Sequence, residues 1–363
     1  MKTITNDMNN RWPDNGIFAM QKLILDWTRV DANMNRTKGA FWAFLLGTII
    51  FGVFSIPVFG QTPATPAEVL PVRVFRFTIK TRSELNKEIP FYLRVPLNYR
   101  PGKPYRLLFL CPHLNQEALA KLTGSAAWLK LADERDWFVL SCTFKQPRDA
   151  GLDRKVSYYY PEGFSGKATL EALALVAKKF PIDTERLLMQ GLSGGAQFAH
   201  RFALWVPDRV TAVAVNSSSW FDAPVAKCNR LGWLITIGES DTSYNNSLEM
   251  VDRLRACGAS PVFRSYVGMV HEGSAQVDQL DMEFLKYYDD CTRKDLGKAR
   301  SATTPEAERL SIKGEKMPFV GDSQNWKFLA NTPESREVIA EDSRIFLPSE
   351  PVAKLWGKEE AGQ

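Results

Sequence analysis

Residues Met189 to Gln197 read Met-Gln-Gly-Leu-Ser-Gly-Gly-Ala-Gln, which sets the frame Gly191-Leu192-Ser193-Gly194-Gly195 between an apolar strand-like run and a helix-like run. A serine at so sharp a change from extended to helical chain takes up a strained backbone. Neighbours without a Cβ then let the strand and the helix approach each other. The frame therefore asks for a strand that runs straight into a helix at one point of the chain. So short a pattern also recurs by chance in Gly-rich turns, and its surroundings decide between the two.

Those surroundings are a repeat of short, nearly continuous apolar runs and longer helical stretches. Tyr105–Cys111, Trp137–Phe144, Arg186–Gly191, Val210–Val215, Leu231–Ile237 and Pro261–Val267 read as strands covered on both faces, since a strand with one wet face would alternate apolar and polar residues. Gly166–Phe180, Gly195–Trp205, Ser243–Cys257 and Ala275–Tyr288 read as helices between or after them. Ahead of the repeat, Val72–Thr81 and Pro90–Tyr99 alternate over parts of their length and read as an antiparallel pair. The order strand, helix, strand predicts an α/β chain with a mostly parallel, doubly wound sheet behind an N-terminal antiparallel pair. With 363 residues, 45% hydrophobic and 24% charged, one large domain with extensions is the expected organisation.

The extensions lie at both ends. Gly39 to Gly60 reads GAFWAFLLGTIIFGVFSIPVFG, an uncharged run preceded by Arg36 and Lys38. It is expected to be an export signal, cleaved near Gly60, or an uncleaved membrane anchor, because it approaches the ~20 residues that span a bilayer. Either reading exports the body, so a secreted, periplasmic or envelope location is expected. Residues 1–33 carry Asp7, Asp14, Asp26 and Asp31, which suits a signal n-region poorly, whereas a start at Met34 places Met-Asn-Arg-Thr-Lys before the apolar run. The chain is accordingly divided into a start-site extension (1–33), a signal or anchor (34–60), a linker containing Thr62-Pro63-Ala64-Thr65-Pro66 (61–71), the domain (72–292) and an appendage (293–363). The appendage is charged and irregular, yet Phe319, Trp326, Phe328, Phe346 and Trp356 are too aromatic for a disordered tail. A segment wrapping over the domain, loose only at its end, is expected there.

Charge excludes one class of partner. Residues 1–60 hold six basic and four acidic groups, leaving 40 basic against 37 acidic in the rest, with no basic stripe interleaved with aromatics, so nucleic acid is not an expected partner. Of the five cysteines, Cys111 and Cys142 fall in apolar strand-like runs and read as buried small hydrophobes, and no Cys-x-x-Cys spacing points to a metal or redox site. No metal and no cofactor are expected.

A serine hydroxyl is a weak nucleophile at neutral pH. It needs an imidazole base, and the imidazole needs a carboxylate to fix its tautomer and stabilise its cation. Only His113, His200 and His271 are available. His271 follows the last strand run, where a late base is delivered; His200 lies inside the helix that begins at the serine and reads as a satisfied helix residue. For the acid, Leu231–Ile237 runs into Gly238-Glu239-Ser240-Asp241, which makes Asp241 the candidate, with Glu239 and Asp222 as alternatives. The chain order Ser193, Asp241, His271 is that of α/β-hydrolases. Two backbone amides must also face the oxygen that becomes negative in acyl transfer. Gly194 supplies one, and the loop Cys111-Pro112-His113-Leu114-Asn115-Gln116 the other, from His113 or Leu114, since Pro112 has no N–H. The His113 side chain is a candidate substrate contact. Tyr158, Tyr159 and Tyr160 and the pair Trp220-Phe221 should approach the mouth, where Tyr160 and Trp220 are candidate substrate-binding residues.

Taken with the loop at Pro112–Gln116 and the stretch Tyr159-Tyr160-Pro161-Glu162-Gly163, this arrangement resembles the secreted polyhydroxybutyrate-depolymerase and feruloyl-esterase branch of the α/β-hydrolases over roughly Val72 to Tyr288. The resemblance implies the α/β-hydrolase fold and an ester hydrolase acting on polyester or on acyl groups attached to polysaccharide. It implies Ser193 as nucleophile, Asp241 as orienting acid, His271 as base, and Leu114 with Gly194 as oxyanion donors. The branch usually has His-Gly ahead of the oxyanion residue, where this chain has Pro112-His113. A peptidase using the same machinery, or a noncatalytic carbohydrate-binding or envelope scaffold with an altered oxyanion loop, are the other readings the sequence admits.

Overall fold

A computed structural model of the chain describes residues 73–151, 153–298 and 314–357. The expected start-site extension, signal or anchor and linker lie outside the described residues. Among the described residues no helix is long and apolar enough to cross a membrane.

The domain is built on an eight-stranded sheet of order β1-β2-β4-β3-β5-β6-β7-β8. Its strands are β1 (Val74–Lys80), β2 (Glu88–Arg94), β3 (Leu107–Cys111), β4 (Phe138–Cys142), β5 (Leu187–Leu192), β6 (Val210–Asn216), β7 (Gly232–Gly238) and β8 (Val262–Tyr266). β1 pairs antiparallel with β2, and β2 antiparallel with β4; every pairing from β4 through β8 is parallel. This strand order, with its antiparallel N-terminal pair and serine turn after β5, is the α/β-hydrolase fold. The hydropathy of each strand follows from its place: β3, β4, β6, β7 and β8 are buried at every residue, as a strand covered on both faces must be, whereas edge strand β1 alternates.

Helices connect and cover the strands: α1 (Ala118–Thr123), α2 (Ala126–Glu134), α3 (Ser165–Lys179), α4 (Gly194–Trp205), α5 (Tyr244–Ala256) and α6 (Ala275–Thr292). Local chemistry sets their ends. α3 stops where Phe180 precedes Pro181, a position that disfavours helical backbone, and Phe180 is extended at φ −132°, ψ 148°. The Ser274 hydroxyl caps α6 by accepting from the Val277 N–H. α4 is buried from Gly194 through Leu204, so the helix leaving the serine is a core element. α1 and α2 are absent from the sequence expectation, because neither is long enough to show several turns of helical period.

The appendage differs from the irregular wrap expected. Residues 314–357 contain a three-stranded antiparallel sheet, β9 (Phe319–Asp322), β10 (Lys327–Ala330) and β11 (Arg344–Leu347) in the order β10-β9-β11, with helices α7 (Pro333–Val338) and α8 (Glu350–Trp356). Strands of four residues are too short to declare a period, which is why they read as irregular. The unit covers sheet edge β8: the wholly buried Trp356 donates its indole N–H to the Phe263 carbonyl at 2.6 Å and packs on Trp326. A carbonyl on an exposed edge is a template for unwanted pairing, and a buried indole removes it.

Candidate active site

The chain passes from β3 outward to β4 and then back across to β5, so strand order reverses beside β3. The carboxyl ends of β3 and β5 therefore open a crevice that no crossover fills. Ser193 follows β5 there and the loop Pro112–Gln116 follows β3 there.

Ser193 adopts φ 55°, ψ −120°, a conformation costly for a residue with a side chain. What holds it is close packing on every side. A Cβ on Gly191 would lie 2.3 Å from the Gly195 carbonyl oxygen, and one on Gly195 would lie 2.5 Å from the Cys111 carbonyl oxygen. Both glycines are thus required by the approach of α4 to β5 and β3. The Ser193 N–H donates to the Asn216 carbonyl at 2.9 Å, which ties the turn to the end of β6.

The structure brings Ser193, His271 and Asp241 together. The Ser193 hydroxyl donates to His271 Nε2 at 2.8 Å, and His271 Nδ1–H donates to Asp241 Oδ2 at 2.7 Å. The Asp241 side chain is fully buried while that of His271 is 40% exposed, so the acid is dry and the base faces the crevice. Asp241 is itself oriented, its Oδ1 accepting from the Ser243 N–H at 2.9 Å. The alternatives are engaged elsewhere. Glu239 accepts from Ser265 Oγ, and Asp222 pairs with Arg201 at 2.9 Å. His200 donates from Nδ1 to the Ala196 carbonyl and accepts at Nε2 from the Asp222 N–H; burial and Arg201 hold its pKa well below the usual imidazole range, so it stays neutral.

Gly194 is the first residue of α4, and the first amides of a helix have no partner within it. In the opposite loop the His113 N–H donates to Gln116 Oε1, which leaves Leu114 as the loop's candidate donor. Asn115 takes the left-handed conformation at φ 56°, which asparagine tolerates, and exchanges hydrogen bonds of 3.0 Å with the Gln146 backbone in both directions. Gln146 in turn accepts from the Tyr158 N–H at 2.9 Å. Sequence reading did not find this clamp. Neither Asn115 nor Gln146 carries a motif, and they meet only because β3 and β4 are neighbours.

The outlying candidates divide. His113 and Trp220 are exposed, Trp220 at 53% just beyond the end of β6. Tyr160 is not where it was expected: its ring is 5% exposed and lies under the guanidinium groups of Arg154 and Arg201, 4.6 and 4.5 Å from its centroid, so its stacking surface is already occupied. Tyr158 and Tyr159 instead reach the serine turn. A Cβ on Gly194 would lie 2.5 Å from the Tyr158 hydroxyl and 3.1 Å from that of Tyr159. Among the described residues no cluster of three or more metal-ligating side chains occurs. Cys111 and Cys142 carry free, buried thiols.

No family model and no curated protein matches the chain. Among solved structures it is similar to a thermostable esterase at 20% identity and TM-score 0.45, the match covering 60% of each chain. It is also similar to a ferulic acid esterase (15% identity, TM-score 0.45, 62% of this chain and 96% of the other). A substrate-bound fluorophosphonate-binding serine hydrolase of Staphylococcus aureus is a third (16% identity, TM-score 0.44, 59% and 96%). The strand order defines the fold without them.

Proposed function

We propose that the chain is a serine carboxylic ester hydrolase working through an acyl-enzyme. The observation that carries this reading is the continuous relay from a strained, crevice-facing Ser193 through His271 to a buried Asp241, at 2.8 and 2.7 Å. Ser193 Oγ attacks the ester carbonyl carbon as its proton passes to His271 Nε2, and the carbonyl π electrons move to oxygen. The amides of Gly194 and Leu114 receive that oxyanion, an interaction worth about 2.7–4 kcal/mol per donor. Collapse breaks the bond to the alcohol, which leaves with the proton from His271. Water, deprotonated by His271, then releases the acid and restores Ser193. Asp241 holds the imidazole and stabilises its cation throughout.

Polymeric or bulky acyl esters are the proposed substrate class, polyester or polysaccharide-linked. The half-exposed His271 and the exposed Trp220 support it, since a crevice open at the base and flanked by an apolar ring admits a substrate larger than itself. Export to the envelope or medium fits such a substrate and rests on the apolar run Gly39–Gly60.

The test uses the full chain. A fluorophosphonate should label Ser193, and p-nitrophenyl esters should be hydrolysed by the wild type and not by Ser193→Ala. Equal rates for the two proteins would end the assignment.

A further inference from the structure

We propose that the Tyr159 hydroxyl is a third oxyanion donor, completing a hole whose other two donors are backbone amides. The inference rests on the ester-hydrolase reading and assigns a catalytic role to a residue outside the Ser-His-Asp relay.

Three elements meet at one spot on the crevice floor: the first turn of α4, the loop after β3, and the tyrosine segment before α3. Gly195 packs against the Cys111 and Pro112 carbonyls, and Gly194 packs against the two tyrosine hydroxyls. Any side chain at position 194 would fill the space the phenols occupy, so the glycine and the tyrosines are two halves of one arrangement. The hydroxyls differ in what they can do. That of Tyr158, on a wholly buried ring stacked on Phe144, donates to the Pro112 carbonyl at 3.4 Å, so its proton is committed to the loop. That of Tyr159 reaches Gly194 from a ring packed edge-on to Tyr158 at 4.7 Å; its side-chain hydrogen-bond neighbour is Gln146, which lowers its pKa as a donor to the phenol oxygen does and so leaves the phenol proton for another acceptor.

Two further observations fit a donor. Burial raises the Tyr159 pKa, against the opposing influence of Gln146 and Arg201, so the phenol keeps the proton it would donate. The site also has a use for it, because the His113 N–H is already given to Gln116 Oε1 and the loop is left with Leu114 as its candidate donor. A phenol delivered from the other wall adds a donor without asking that loop for a second amide. When Ser193 Oγ bonds to the carbonyl carbon, the oxygen takes up the displaced electron pair and the O–H of Tyr159 hydrogen-bonds to it. No proton is transferred, and the bond is released when the carbonyl re-forms.

Tyr159→Phe removes the hydroxyl and keeps the ring. In the full chain, with p-nitrophenyl acetate, kcat is expected to fall by roughly 10- to 100-fold with KM near wild type, since a donor to the oxyanion is felt in the transition state and not in the ground state. The decisive readout is an aryl trifluoromethyl ketone, which forms a tetrahedral oxyanion on Ser193: its Ki should rise by the same factor by which kcat falls. An unchanged kcat overturns the proposal. So does a lower kcat with an unchanged Ki, which would make Tyr159 a positioning residue, or an equal loss of ketone binding in Tyr158→Phe, which would mean that the corner as a whole had loosened. Thermal unfolding of both variants checks that they fold. If the wild type itself neither takes the fluorophosphonate label nor hydrolyses the ester, the hydrolase reading fails and this inference fails with it.

Discussion

Gly238→Ala should disable the site without touching any of its functional side chains. Gly238 ends β7, three residues before Asp241, and pairs with Tyr266 of β8. Its backbone is not left-handed, so alanine suffers no conformational penalty there. The difficulty is space. The new methyl carbon would sit 2.1 Å from the Met269 carbonyl oxygen, 2.5 Å from its carbon and 2.7 Å from the Val270 oxygen, all backbone atoms that no rotamer change can move aside. Ordinary contact requires a displacement of roughly 1 Å. Met269 and Val270 lead directly into His271, and the Met269 carbonyl also accepts from the Ser240 N–H at 3.0 Å, the bond that joins the Asp241 turn to the His271 loop. The two turns must therefore part, carrying His271 away from Ser193 and Asp241 together. A misplacement of about 1 Å in a reacting group costs on the order of 10²-fold, and overpacking of this kind about 1–3 kcal/mol in stability. The assay is kcat/KM on p-nitrophenyl acetate beside a urea unfolding curve. Gly268→Ala is the internal control: it lies in the same loop at φ 73° with open space around it, so it should lose some stability to backbone strain while the loop stays in place. Wild-type kcat/KM in a folded Gly238→Ala would refute the argument that close backbone approach sets the His271 position.

Two further outcomes concern buried carboxylates. Asp281, wholly buried in α6, accepts from Asn216 Nδ2 and Gln190 Nε2 on Oδ2, while its Oδ1 and the Gln190 Oε1 find no partner among the described residues. Burial pushes its pKa well above the carboxylate range, so above about pH 4 the unfolded chain sheds a proton that the native state keeps, and stability falls as pH rises. Asp281→Asn removes that slope and can donate to Gln190; urea midpoints at acid and neutral pH should show the variant gaining on the wild type as pH rises, and parallel profiles would contradict this. Asp289, also in α6, accepts from Arg106, Arg135, Arg293 and the Trp137 indole, and these guanidinium groups outweigh burial to hold its pKa down. Its stabilising contribution is present above about pH 4 and lost as pH falls through its folded value. Asp289→Asn leaves Arg106 buried without its counter-charge and should cost about 3–5 kcal/mol in urea unfolding, with activity per folded molecule unchanged, because the network sits at the strand ends opposite Ser193.

Part of this protein was written plainly in its sequence. A strand covered on both faces is mostly apolar, so the central strands stood out as nearly continuous apolar runs, and the close approach of α4 to β5 and β3 forces glycine at 191 and 195, so the serine turn did too. Asp241 and His271 were found because each follows such a strand directly. These are local constraints, legible residue by residue. The tertiary structure alone decided the rest. Asn115 and Gln146 meet because β3 and β4 are adjacent; Tyr160 is covered because Arg201 projects from α4; Tyr159 reaches Gly194 because the first turn of α4, the loop after β3 and the tyrosine segment close on one corner. The four-residue strands of the appendage gain their definition from pairing with one another and from the β8 edge they cover, not from any period of their own. A short polar or aromatic residue takes its role from whichever distant segment the sheet brings beside it, and the sheet's strand order is a property of the whole chain.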